Sequence, residues 1–294
     1  MPDKLVSWPD HLVEEIAFNR AILFLGSGVS STSVNTKGEP MIGWPKFIDL
    51  GIEKIPSKKS DKKEYAKDLL SKENYLLALE TVKKQSQNAE FFELIKREFD
   101  SADRMYSEAH AIIKKLDMKI IITTNFDKLY DNHCSDHGHT IINYYESEKL
   151  ASNLKQEKNL IIKAHGTIDN LDKIIFTQND YFKSKKENPF FYKILESLFL
   201  TKTVLFLGYS LNDPDINLLL DTAANTATSV ANHFVLVEET LSDELEEHWQ
   251  DNYNVSSIRY GGGHSMFIPN LENLFELVMD KRMSSGLTAW VSDM

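Results

Sequence analysis

The chain holds a single cysteine, Cys134, among its 294 residues. No intrachain disulfide and no multi-cysteine zinc ribbon can therefore be built from it. Basic charge is also short: 33 lysines and arginines stand against 44 acids, a formal net charge of −11. That balance argues against direct nucleic-acid binding unless basic groups gather on one face. No run approaches the roughly 18 apolar residues that a membrane span requires. The opening segment, MPDKLVSWPDHLVEEI, has no basic stretch followed by an apolar core, so no secretory leader is expected. Together these absences predict a cytoplasmic protein that does not enter a membrane.

Two familiar nucleotide signatures are incomplete. GSGVSS (26–31) carries two glycines, but Ser31 stands where the dinucleotide fingerprint has its third, and no GKS or GKT of a P-loop occurs. Asp49 lies at the spacing of a ribose-binding acid, yet its segment reads as helix rather than a strand end. The ordinary dehydrogenase reading therefore fails.

What is present is a folded α/β pattern. Hydrophobic residues make up 42% and aromatics 11%, and short apolar runs alternate with longer amphipathic segments. Strands are predicted at AILFLG (21–26), KIIITTN (119–125), TIINY (140–144), LIIKAHG (160–166), TVLFLGYS (203–210), HFVLVE (233–238) and 255–260. KIIFT (173–177) reads as a further short strand or hairpin arm. Helices are expected at 9–19, from Trp44 (an anchor at a helix start, with Pro45 in an early position), at 188–199, from the NDPD segment at 212–215, at 241–253 and at 270–282. The lysine- and acid-rich stretch at 53–72 reads as a solvated face or loop, and 73–117 as helical throughout. The expectation is one domain over 1–294: a mostly parallel, Rossmann-like sheet flanked by helices, with a helical insertion at 53–117 after the first strand.

Four strand exits carry small or polar residues: GSGVS (26–30), TTNFD (123–127), HG (165–166) and GYS (208–210). In a parallel sheet such exits lie along one edge and can line one crevice. Gly26 and Gly28 would let backbone N–H groups approach a pyrophosphate. Asn125 and Asp127 are equally good helix caps, and His165 could simply cap its strand. Its other role is proton transfer, with Gly166 turning the chain and letting a ribose approach.

The order of these motifs resembles the sirtuin fold, specifically the sirtuin-like NAD hydrolases of bacterial phage defence, over residues 20–240. The resemblance implies that Gly26, Ser27, Gly28 and Ser30 hold the NAD pyrophosphate. It implies that Asn125 and His165 are catalytic, and that Thr124, Asp127, Gly208 and Ser210 contact the nucleotide. The implied activity is NAD glycohydrolysis, releasing nicotinamide and ADP-ribose, with NAD as substrate and no metal. Sirtuin deacylases carry a four-cysteine zinc module that this chain cannot supply, so the acyl-lysine groove is in doubt and hydrolysis is favoured. A protein deacylase and a non-catalytic NAD or ADP-ribose sensor are the alternatives. A homo-oligomer, and an ATPase or Argonaute-like defence partner, belong to the same implication.

Two further motifs stay open. NHCSDHGH gathers His133, Cys134, His137 and His139, which is either a metal cluster or, as we favour, a polar surface loop. GGGH (261–264) is either a loop near the adenine or a flexible strand-to-helix connection. Ser30 and Ser31 have no adjacent base pattern that would make them nucleophiles.

Overall fold

Five consecutive buried residues, Ala21–Leu25, form β1 and divide by parity. Ala21, Leu23 and Leu25 face one apolar layer, while Ile22 and Phe24 face another. A strand that is apolar on both faces needs helices on both sides. A computed structural model, describing residues 5–100, 103–134, 138–211, 214–226 and 232–287, provides them. Its sheet has seven strands: β1, β2 (Ile120–Thr123), β3 (Thr140–Asn143), β4 (Leu160–Lys163), β5 (Thr203–Leu207), β6 (His233–Glu238) and β7 (Val255–Tyr260). Their spatial order is β3-β4-β2-β1-β5-β6-β7 and every pairing is parallel. Leu23 registers with Ile121 on one side and Leu205 on the other. From β1 the chain adds β2 beside it, passes to β3 at the edge, comes back to insert β4 between β3 and β2, and then crosses to place β5 on the opposite side of β1. The reversal of strand order therefore lies between β1 and β5, where open α/β sheets form their ligand crevice.

One face is covered by α1 (Asp10–Ala17), α7 (Glu108–Lys115) and α14 (Phe267–Ser284). Arg282 of α14 is 1% exposed and donates to the carbonyls of Ala17 (3.2 Å), Ile16 (3.5 Å) and Leu116 (2.9 Å). It thereby satisfies the last carbonyls of two helices, which no intrahelical donor can reach. Burial lowers its guanidinium below the usual arginine range. The other face carries α9 (Ser147–Lys155), α10 (Gln178–Glu187), α11 (Pro189–Thr201), α12 (Pro214–Thr226) and α13 (Asp243–Tyr253).

Between β1 and β2 run α2 (Ser27–Ser31), α3 (Trp44–Glu53), α4 (Ser60–Ser71), α5 (Tyr75–Gln85), α6 (Asn88–Phe99) and then α7. Helices α3 to α6 share a third core, in which Phe47, Phe91 and Phe99 pack with Phe126 and Phe176 from the sheet's exit loops. Helix α7 instead packs on the sheet beside α1 and α14. The charged stretch at 53–72 contains α4, a solvated helix that buries only Ala66 and Leu69.

One expected strand is absent. Ile174–Phe176 runs extended, but it is tied to β4's exit through Ile175 N–H, which donates to the His165 carbonyl at 3.0 Å, and forms no ladder. The reason is topological: β4 already has β3 and β2 on its two sides, so KIIFT has no free edge there to join. Among the described residues no helix is long and apolar enough to cross a membrane.

Candidate functional site

The glycine exits of β1 and β5 interlock. Gly28 N–H donates to the Gly208 carbonyl at 2.8 Å, and Gly26 N–H donates to Leu207 at 2.9 Å. A Cβ on Gly26 would lie 2.3 Å from the Gly208 oxygen, and one on Gly28 2.7 Å from the Gly208 Cα. Gly208 has φ +59°, and its own Cβ would meet the Val29 nitrogen at 2.4 Å. The glycines expected at a pyrophosphate are thus required first by the approach of two loops at the sheet's switch point. Gly28 spends its N–H inside the protein.

The TTNFD turn closes on the same loop. Thr123 Oγ1 donates to the Leu25 carbonyl (2.8 Å) and accepts from Asn125 N–H (3.0 Å), which sets where the turn leaves β2. Asn125 Nδ2 donates to the Gly26 carbonyl at 2.8 Å and to Ser30 Oγ at 3.0 Å. Ser30 Oγ donates onward to Asp127 Oδ2 at 2.8 Å, and Asp127 Oδ1 accepts from Leu129 N–H at 3.0 Å. Asp127 therefore caps α8 (Leu129–Cys134) and also orients Ser30. With both amide hydrogens engaged, Asn125 has its Oδ1 to offer a ligand.

Below this turn sits a buried ion pair. Lys163, the last residue of β4, contacts Asp131 Oδ2 at 2.8 Å and donates to the Asp127 carbonyl at 2.6 Å. The two side chains are 1% and 4% exposed. Burial raises the Asp131 carboxyl and Lys163 opposes that shift.

His165 follows β4 and is buried, with its ring edge-on to Tyr181 at 5.2 Å. Gly166 has φ +83°, and a Cβ there would sit 2.7 Å from the Lys173 carbonyl. Its lack of a side chain thus serves the turn and the packing of Lys173 and Ile174. The expected role, opening a path for a ribose, is not where its missing Cβ points.

These exits meet in one cavity of about 430 Å³. Its polar floor is Ser27, Gly28, Ser30, Thr124, Asn125, Asp127, His165, Gly208 and Ser210, while Gly26 lies behind it as the acceptor for Asn125. The wall is apolar and comes largely from helices between β1 and β2: Met41, Ile42, Trp44, Tyr75, Leu76, Leu79 and Phe99, with Phe126, Ile175, Phe176 and Tyr181 opposite. Trp44 is both an anchor, edge-on to Phe47, Phe126 and Phe176, and part of that wall. Sequence reasoning missed this wall because its residues read as helix core, and only the packing of α3 and α5 across the exits turns them toward a ligand. Helix α5 is held there by an ion pair and a hydrogen bond: Lys83 meets Asp180 of α10 at 2.7 Å, and buried Glu80 accepts from Asn179 N–H at 3.3 Å. Burial pushes the Glu80 carboxyl up, but Lys84, Thr177 and the Asn179 N–H together hold it below its ordinary value.

Polar side chains from three parallel-strand exits around a glycine loop, backed by an apolar wall, are what a nucleotide crevice requires. Comparison with known families agrees, because residues 119–258 match the SIR2-like domain. The matched segment runs from just before β2 into β7 and contains Asn125, Asp127, His165 and Gly208, whereas the glycine loop at 26–31 lies upstream of it. The NAD(+) hydrolase ThsA of Bacillus cereus is 25% identical over 240 residues, 79% of this chain and 46% of the relative. That of Cytobacillus dafuensis is 27% identical over 204 residues, 69% and 37% respectively. Defense-associated sirtuin 2 of Bacillus subtilis is 24% identical over 225 residues, 75% of this chain and 21% of the relative. The chain thus matches less than half the length of each of these relatives.

Other residues singled out from the sequence lie away from this cavity. Asp49 is on α3, paired with Lys46 at 3.7 Å. The GGGH loop connects β7 to α14: Gly262 and Gly263 take φ +81° and +74°, and His264 is 87% exposed beside Glu238. His133 stacks on Tyr106 at 3.6 Å, and His139 Nε2 contacts the Met118 carbonyl at 3.1 Å. His137 lies outside the described residues, as do Asn212 and Asp213. Among the described residues no three His, Cys, Asp or Glu side chains gather as a metal site.

Proposed function

We propose that this chain is an NAD glycohydrolase whose SIR2-like site cleaves the nicotinamide–ribose bond. The observation that carries the reading is the convergence of Asn125, Asp127, Ser30 and His165 on one cavity at the sheet's switch point. The names of the relatives, NAD(+) hydrolases and a defence-associated sirtuin, support it and extend it to anti-phage NAD depletion. Breaking the C1′–N bond sends the bonding pair to nicotinamide, which leaves neutral, and leaves oxocarbenium character at C1′. Water adds at C1′, and its proton passes to a base. Imidazole suits that role near neutral pH, so His165 is proposed as the base. Asn125 Oδ1 would accept from the attacking water or a ribose hydroxyl, and its neutral amide would keep that role at any pH. The floor residues Ser27, Gly28, Ser30, Thr124, Asp127, Gly208 and Ser210 would hold the nucleotide. The apolar wall would exclude stray water. A cytoplasmic location, a homo-oligomeric state and a protein partner belong to the same proposal, as does a single domain with helices inserted at 53–117.

The test is incubation with NAD followed by chromatography of the products. Nicotinamide and ADP-ribose formed without any peptide support the reading. An acylated ADP-ribose product that requires an acyl-lysine peptide would replace it with deacylation. Binding of NAD without turnover would replace it with sensing.

A further inference from the structure

The buried pair formed by Lys163 and Asp131 has no place in the chemistry just described. Removing two charges from water is costly, and apolar residues of the same volume often hold a core as well or better. A pair retained at 1% and 4% exposure therefore calls for an explanation from its geometry. Lys163 ends β4, two residues before His165, and registers with Thr123 of β2. Its ammonium reaches across to the Asp127 carbonyl at 2.6 Å, and Asp131 Oδ2 at 2.8 Å holds the ammonium from the far side. Asp127 is then fixed at three points: Lys163 on its carbonyl, Leu129 N–H on Oδ1 and Ser30 on Oδ2. Ser30 in turn accepts from Asn125 Nδ2. One continuous chain of hydrogen bonds thus joins the end of β4, two residues before His165, to the amide of Asn125.

We propose that Lys163, clamped by Asp131, is a positioning residue that sets the Asn125 amide relative to His165 through the Asp127 main chain. Neither side chain of the pair lines the cavity. The pair adds a side-chain tie to two main-chain bonds between the same exits, Ala164 N–H to the Thr123 carbonyl and Ile168 N–H to the Phe126 carbonyl, both at 2.8 Å, and it alone runs through Asp127 and Ser30 to the Asn125 amide. The inference rests on the hydrolase reading for its kinetic consequence, and on geometry alone for its structural one.

The experiment compares the unaltered chain with Lys163→Met/Asp131→Leu, which removes both charges at similar volume, and with Asp131→Asn, which keeps the Lys163 bond to Asp127. Each is examined for Tm, for kcat and KM with NAD, and for the side-chain amide resonances of Asn125 in a proton–nitrogen spectrum. The double variant is expected to fold and to keep KM within about threefold, while kcat falls at least ~10-fold, since small misplacements of reacting groups carry large rate penalties. Its Asn125 amide signals should shift and lose protection from exchange. Asp131→Asn should lower Tm more than kcat, because an incompletely paired ammonium stays buried. A double variant with unaltered kcat and Asn125 signals would overturn the proposal. So would one that fails to fold, which would make the pair a determinant of stability. If the unaltered chain leaves NAD intact, the hydrolase reading fails, and the Asn125 resonances then decide the positioning role by themselves.

Discussion

Asn125 Nδ2 lies 2.8 Å from the Gly26 carbonyl oxygen, across two strand exits 99 residues apart in the chain. The contact fixes which end of the amide faces the cavity, because the nitrogen is occupied by Gly26 and Ser30 and the oxygen is not.

For Asn125→Ala the expected result is a fall in turnover of about two orders of magnitude, the typical effect of removing one preorganised polar group. Two hydrogen bonds also go, at a cost of about 2 kcal/mol in stability. Steady-state kinetics and urea unfolding measure the two effects separately. A stability loss that accounts for all the lost activity would reduce Asn125 to a structural tie.

His165→Ala should lower kcat by roughly 10²–10⁴ while leaving NAD affinity nearly unchanged, since a base acts in the transition state. His165→Gln should not rescue it, because an amide cannot take a proton at neutral pH. Turnover of the glutamine variant at saturating NAD decides the matter, and near-native rates would leave His165 as a strand cap.

Gly208→Ala combines a φ of +59° with a 2.4 Å clash against the Val29 nitrogen. It should cost more than about 3 kcal/mol and abolish NAD-induced stabilisation, since both loops must part. Gly38→Ala is the control: its φ is +79° with nothing within 4 Å of the added carbon. That change should cost only about 1 kcal/mol. Equal losses in the two variants, measured by urea unfolding, would show that backbone strain and not loop interlock is what Gly208 supplies.

Two other buried histidines give the fold a pH dependence. Burial depresses His110 to about 4, with Asp127 pulling it up and His133 pushing it further down, and burial alone takes His233 to about 4. In each the Nδ1 faces a backbone N–H: Ser107 for His110 and Val204 for His233, both at 3.2 Å. The folded state therefore binds fewer protons than the unfolded one between pH 6.5 and about 4. Stability should be complete above pH 6.5, fall as pH drops through that window at about 1.4 kcal/mol per unit for each histidine, and level off below it. Urea titrations from pH 4 to 8 measure the slope, and His233→Gln should remove one proton from it. An unchanged slope in that variant would show that His233 does not titrate in this way.

The strands were legible because burial on both faces demands unbroken apolar runs, as in AILFL and TVLFL, and because glycine or polar residues mark where each run leaves the sheet. The parallel α/β class followed, and with it the expectation that Gly26, Asn125, His165 and Gly208 share an edge. KIIFT misled because an apolar pentapeptide carries no record of whether a sheet edge is free to receive it. The tertiary structure alone decided that Gly26, Gly28 and Gly208 interlock, that Gly166 turns its bare face to Lys173, and that Lys163 reaches beneath Asp127. It also decided that Trp44, Tyr75 and Tyr181 wall the cavity. The division has a physical cause. Periodicity and strand exits are properties of neighbouring residues and survive in a linear chain. A hydrogen bond between residues 36 or 99 apart exists only once the order of the strands has brought them together.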